Sequence, residues 1–212
     1  MEHQIAPGTV LLQTEWAEKL QVSRTPLREA FRILEKDGLV QVSNGNRTVR
    51  VVKFSGPELR DLLEVREVVD GLASRLLATR GMSVEVERTL VKHLATMEAS
   101  SEPFHAARWF GAHLAFHLHV AESCGNSRMC QQLGLIKITS FAVHSYLGSL
   151  QPTDDELERF LDSAIRQHRT IYDAIRSGNG DLAEMAASQY IRSMMKLGLM
   201  WRADSAAPSR AG

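Results

Sequence analysis

Ser23-Arg24-Thr25-Pro26-Leu27-Arg28-Glu29-Ala30-Phe31-Arg32-Ile33-Leu34-Glu35-Lys36-Asp37-Gly38 carries an inner face and a charged outer face. Leu27, Ala30, Phe31 and Leu34 recur at i, i+3, i+4 and i+7, so they are expected to line the buried side of one helix. Arg24, Arg28 and Arg32 are four residues apart. Arg28 and Arg32 share the opposite face, and Arg24 stands just before the expected helix start. Thr25 is expected to cap the helix, Pro26 to begin it and Gly38 to end it. A helix start offers free amides and the positive end of the dipole, which suit a phosphate. Arginines beside it can fork onto guanine edges in a major groove. Taken alone, the same pattern also fits a solvated face on a surface helix.

The flanking sequence decides between these readings. Gln13 to Leu20 reads as a short helix with Thr14 as its cap, and Gln21-Val22-Ser23 as a turn. Leu39 to Ser43 and Thr48 to Lys53 read as two strands around Asn44-Gly45-Asn46-Arg47, a strong hairpin signal. Helix, turn, helix and hairpin over residues 1–53 make a winged helix-turn-helix, in which the second helix enters the major groove. Arg24, Thr25, Arg28 and Arg32 are the expected DNA contacts, with Asn46 and Arg47 at the wing tip. The segment holds eight Lys/Arg against six Asp/Glu.

The whole chain is electrically balanced, with 25 Lys/Arg and 25 Asp/Glu in 212 residues, so it is no generic polyanion binder. A composition of 44% hydrophobic and 24% charged residues excludes a disordered or collagen-like chain. No apolar run nears the roughly 18 residues needed to span a bilayer. Met1 to Pro7 lacks the charge and apolar core of a secretion signal. Cys124 and Cys130 make no disulfide framework, so a cytoplasmic location is expected, with both cysteines as packing residues.

Beyond a linker at residues 54–57, the pattern is helical throughout. Ser55 and Glu58 can form a capping box with Pro57 in the first turn. Breaks at Gly81, Ser100 to Pro103, Gly125-Asn126, Leu150 to Thr153 and Gly178 to Gly180 divide residues 58–203 into about six helices. Each has an apolar stripe too wide to stand alone, so they must pack as a bundle. The Ala/Ser/Pro-rich end, 204–212, reads as a disordered tail. The expected fold is thus mainly α: an N-terminal winged helix-turn-helix joined to an all-α helical bundle.

Val22 to Ala30, followed by Leu34-Glu35-Lys36-Asp37-Gly38-Leu39-Val40, resembles the signature of GntR-family transcriptional regulators. Ile5-Ala6-Pro7-Gly8 with Leu11 is similar to that family's approach to its second helix. The helical remainder resembles the FCD ligand-binding domain of the FadR-like branch, through Arg66 with Asp70, Phe116-His117, Asn126, His168 and the Gly178 to Ala183 turn. The family carries a further helix before Ile5, so the first helix is expected to be truncated. Where the family has glycine in the turn and wing, this chain has Gln21 and Thr48. The resemblance implies a homodimeric, ligand-responsive regulator, by default a repressor and not an enzyme. Its partners would be double-stranded operator DNA and a small organic acid, with no membrane.

His113 and His117 lie i, i+4 on one helix face, a workable pair of ligands for zinc, nickel or iron, or simply polar decoration. The resemblance implies a metal site of one Asp and three His inside the bundle. His117 and His168 match two of its histidines, His113 stands at the Asp position and Tyr190 at the last His. The expected alternatives are a metal held by His113, His117 and His168, or a metal-free pocket in which these residues bind the effector directly. Tyr190 is an expected effector contact in either case. Arg66 is the other, because its fork matches a carboxylate; its competing role is an i, i+4 salt bridge to Asp70. A metal-sensing regulator is the second reading. A metal-dependent hydrolase is the third, weakened by the lack of a Glu beside the histidines.

Overall fold

The computed structural model describes residues 5–43, 48–150 and 152–196. The N-terminal lobe holds β1 (Val10–Leu12), α1 (Gln13–Lys19), α2 (Arg24–Lys36), β2 (Val40–Ser43) and β3 (Thr48–Val51). The three strands form an antiparallel sheet in the order β1-β3-β2, with Val40 opposite Val51 and Val10 opposite Arg50. β1 adds a strand to the expected hairpin; at three residues it is too short to show alternation. Leu11, Ala17, Leu27, Phe31, Val40, Val49 and Val51 form this lobe's core.

Several local expectations are corrected. α2 begins at Arg24 with Ser23 as its N-cap, so Thr25 lies in the first turn and does not cap. α1 begins at Gln13 behind Leu12, which displaces Thr14 from the cap. Ala30 is exposed, and the buried face of α2 narrows to Leu27 and Phe31 with Leu34 half-buried. Gln21 adopts φ 53 in the turn between α1 and α2, a left-handed conformation that glycine takes without penalty. Gly38 ends α2 with φ 74, and a Cβ there would lie 2.5 Å from Ile138 Cδ1. The positive φ is what favours glycine there, while the end methyl of Ile138 would have to shift for any larger residue.

The second lobe contains α3 (Gly56–Arg80), α4 (Val84–Ala99), α5 (Ala106–Ser123), α6 (Leu133–Leu150), α7 (Asp154–Arg176) and α8 (Gly180–Lys196). These are the six expected helices, and the breaks fall at the expected sites. α3 starts inside the stretch expected to be linker. The Ser55 amide donates to Glu58 Oε2 at 2.8 Å and the Glu58 amide to Ser55 Oγ at 3.4 Å, a complete capping box. Thr153 and Glu156 repeat the device at α7. α3 packs against α5, α6, α7 and most extensively α8. Leu59, Leu63, Leu77, Phe116, Ile171 and Ile175 are among the side chains sealed in this core. Among the described residues, no helix is long and apolar enough to cross a membrane.

α6 touches both lobes. Lys137 Nζ donates to Asp37 Oδ2 at 2.8 Å, at the end of α2. Ile138 abuts Gly38, and Phe141 packs on the N-terminal core. One residue before Phe141, Ser140 is buried in the helical lobe.

Candidate functional site

α2 presents Arg24, Thr25, Arg28 and Arg32 to solvent. Arg32 pairs with Glu29 at 2.8 Å, while Arg24 and Arg28 make no ion pair among the described residues. No side chain caps the start of α2, so its first amides remain open to a phosphate. The wing-tip residues Asn46 and Arg47, with Asn44, lie outside the described residues.

A second site is enclosed by α3, α5, α6, α7 and α8. Arg66 and Asp70 come from α3, one helical turn apart on its inner face. Arg66 Nε donates to Asp70 Oδ2 at 3.3 Å and Nη1 to Ser140 Oγ at 2.9 Å; Nη2 is buried with no partner among the described residues. The expected Arg66–Asp70 salt bridge therefore exists, and one nitrogen of the fork is left over. His113 and His117 come from α5, His168 from α7 and Tyr190 from α8; all four are buried. Their ring centroids lie 4.4 to 5.9 Å apart.

The hydrogen bonds fix the tautomers. His117 Nδ1 lies 3.0 Å from Asp70 Oδ2, and His168 Nδ1 lies 2.6 Å from the Ala164 carbonyl. Both oxygens only accept, so each Nδ1 carries the proton and each Nε2 presents a lone pair. Those two Nε2 atoms face each other at 3.0 Å. Two converging lone pairs repel unless a proton or a cation lies between them. Nitrogens about 2.0–2.1 Å from a tetrahedral zinc would be about 3.3 Å apart, close to what is seen. His113, His117 and His168 each offer a ring nitrogen within 4.8 Å of the others, the spacing expected of three ligands to one ion. His113 Nε2 is bonded to the Tyr190 hydroxyl at 2.6 Å, its Nδ1 is buried with no partner among the described residues, and its ring stacks on Trp109. Tyr190, the expected effector contact, shares its hydroxyl with His113 and keeps accepting capacity to spare.

Burial pushes the Asp70 carboxyl up, but Arg66 and His117 outweigh it and hold its pKa below the ordinary value. Burial lowers His117, partly offset by Asp70, and takes His113 and His168 well below the ordinary imidazole value. Burial raises the Tyr190 phenol, so it remains protonated. The site at neutral pH thus contains one cation, Arg66, matched by one anion, Asp70, and uncharged imidazoles.

Helix spacing brought forward His113 with His117, the family resemblance brought forward Arg66, His168 and Tyr190, and the structure brings all five together. Sequence reasoning missed His144, whose ring centroid lies 6.1 Å from that of His113 and whose buried Nε2 has no partner among the described residues. It also missed Ser140 and Trp109. The only signal for His144 was its place one turn after Ser140 on α6.

Comparison with known proteins gives two family matches: "Bacterial regulatory proteins, gntR family" over residues 1–49 and "FCD domain" over residues 61–193. A probable D-xylose utilization operon transcriptional repressor of Paenarthrobacter nicotinovorans is 27% identical over 190 residues, covering 89% of this chain and 78% of that protein. The Glc operon transcriptional activator of Escherichia coli K12 is 27% identical over 199 residues, covering 84% and 76%. The solved structure of E. coli McbR/YncC superposes with a TM-score of 0.78 at 16% identity, covering 94% of this chain and 90% of that one, a likeness of fold.

Proposed function

The chain belongs to the gntR family of bacterial regulatory proteins in its FCD-bearing form, and from that premise we propose a ligand-responsive transcriptional repressor that binds a small carboxylate. It acts as a cytoplasmic homodimer, placing α2 of each copy in the major groove of one operator half-site. Arg24, Thr25, Arg28 and Arg32 are the contacts on α2, with Asn46 and Arg47 on the wing. The carboxylate docks on Arg66, beside His117, His168 and Tyr190. The observation that carries this reading is the unpaired Arg66 Nη2, a guanidinium nitrogen sealed in the core of the helical lobe. Leaving such a donor unmet costs stability, and a carboxylate oxygen meets it. Binding then biases which placement of the two DNA-binding lobes is populated.

The test is operator binding to DNA from upstream of the protein's own gene. A base-edge contact is worth about 1–3 kcal/mol, so Arg28→Ala should weaken specific binding roughly 5- to 150-fold with an unchanged melting temperature. Unchanged affinity would overturn the assignment of α2 as the reading helix.

A metal-dependent version is favoured by one observation, the facing lone pairs of His117 and His168. The donor set fits zinc, nickel or iron. His117 and His168 would hold the ion, with Asp70 orienting His117, and His113 would join once its Nε2 is released by Tyr190. The ion would supply the positive charge that a site balanced between Arg66 and Asp70 lacks for an anion. Metal analysis before and after chelation, with operator binding alongside, separates the versions. In a metal sensor, the ion alone changes operator affinity. Hydrolysis is the weakest reading, because Asp70, the carboxylate beside the histidines, is engaged by both Arg66 and His117.

A further inference from the structure

A cavity of about 230 Å³ lies between the start of α5, the end of α6 and the start of α7. Its walls are almost wholly apolar: Phe104, Phe110, Leu147, Leu157 and Phe160 contribute, and His144 stands among them. Glu156 also borders it, but that carboxylate accepts from the Thr153 amide and hydroxyl in the capping box. Phe104 meets Phe110 edge-on at 6.1 Å, and the Phe110 ring tilts over that of His144. An apolar cavity of about 150 Å³ is enough to take benzene. This one therefore has room for a ring and a short side arm, and its walls offer the edges and faces that aromatic rings pack against.

The cavity is next to the carboxylate site. Ser140, which accepts from Arg66 Nη1, and His144, which lines the cavity, are i and i+4 on α6. Such neighbours are about 5–6 Å apart at Cβ, roughly the distance from a benzene ring to a carboxylate one or two carbons away. Each place holds a buried nitrogen with no partner among the described residues, His144 Nε2 on the residue that lines the cavity and Arg66 Nη2 on the residue bonded to Ser140.

We propose that the effector is an aryl-alkanoate: a monocarboxylate whose single aromatic ring, or a branched hydrocarbon group of that size, fills this cavity while its carboxylate reaches His144 and Arg66. This rests on the carboxylate-effector reading above and narrows it to a chemical class. A short hydroxy acid would leave the cavity empty; a dicarboxylate would bury a charge against phenylalanines.

The test is calorimetric titration of the full chain with phenylacetate, 3-phenylpropionate and acetate, using the unmodified protein, Gly148→Phe and Ala106→Phe. Gly148 lines the cavity and a Cβ there meets nothing within 4 Å, so the added ring enters open space. Ala106 lines the cavity from α5, so a phenyl ring at that position fills it from another helix. The expected result is that an aryl acid binds at least tenfold tighter than acetate. Each substitution should abolish that advantage while leaving acetate affinity and the melting temperature unchanged. Acetate binding with no aryl preference, or aryl binding indifferent to both substitutions, overturns this proposal and leaves the carboxylate reading standing. Failure of all three acids to bind overturns both.

Discussion

His168 is fully buried, its Nδ1 is tied to a backbone carbonyl and its Nε2 confronts another imidazole. Such a residue folds only in its neutral form. His113, His117, His144 and His168 all have folded pKa values below 6.5, that of His144 brought to about 3 by burial and then by Arg66. Below pH 6.5 the unfolded chain therefore takes up protons that the folded chain refuses. Stability should be level above about pH 7 and fall as the pH drops below about 6.5, with each histidine contributing up to about 1.4 kcal/mol per unit. Asp70 acts in the same direction at lower pH: its lowered pKa stabilises above its ordinary value of 3.8, and that contribution is lost as the pH falls below it. Melting the metal-free protein from pH 8 to pH 5 checks this; a flat profile would mean that the imidazoles are not held neutral. Tyr190 gives a second prediction. Its hydroxyl occupies His113 Nε2, so Tyr190→Phe should free a third imidazole and raise zinc affinity severalfold in competition with a chelating dye. Unchanged affinity would show that the phenol does not compete.

The turn between α1 and α2 depends on Gln21, held at φ 53. A side chain in that conformation costs about 1–2 kcal/mol, while glycine loses about 0.4–1 kcal/mol more chain entropy on folding, so Gln21→Gly should stabilise the N-terminal lobe by about 0.5–1 kcal/mol. Denaturant unfolding would measure this, and a loss of stability would refute it. The elements were readable in proportion to their length and their punctuation. α3 announced itself through the box at Ser55 and Glu58, and α7 through the break before Asp154. β1 was not readable, because its three residues gain strand character only from pairing with β3. The cap of α2 was misplaced because Thr25-Pro26 resembles a helix start, whereas the helix begins two residues earlier, at Arg24 behind Ser23. In the buried site, i, i+4 spacing found Arg66 with Asp70 and His113 with His117, each pair on one helix. The meeting of His117 with His168, of Tyr190 with His113 and of His144 with His113 is made by packing of separate helices, which periodicity along one chain segment does not encode.

Across the whole molecule, α6 is the wall shared by the two lobes, with Lys137, Ile138 and Phe141 on one lobe and Ser140 on the buried site of the other. The Lys137–Asp37 pair is partly exposed and adds at most about 1 kcal/mol, so its contribution is to relative placement more than to stability. With the contact intact the two lobes should melt in one transition. Lys137→Glu combined with Phe141→Ala sets like charges against each other and removes the apolar seat, so the melt should split in two; one unaltered transition would deny the coupling. The same seam limits how freely the halves of this protein can be exchanged with those of its relatives. A hybrid sensor cut at the short loop before α3 would keep an intact reader and an intact receptor, yet its reader would meet a stranger at Lys137, Ile138 and Phe141. Such a hybrid should bind DNA and ligand and transmit nothing between them until the graft carries matching residues at positions 37 and 38.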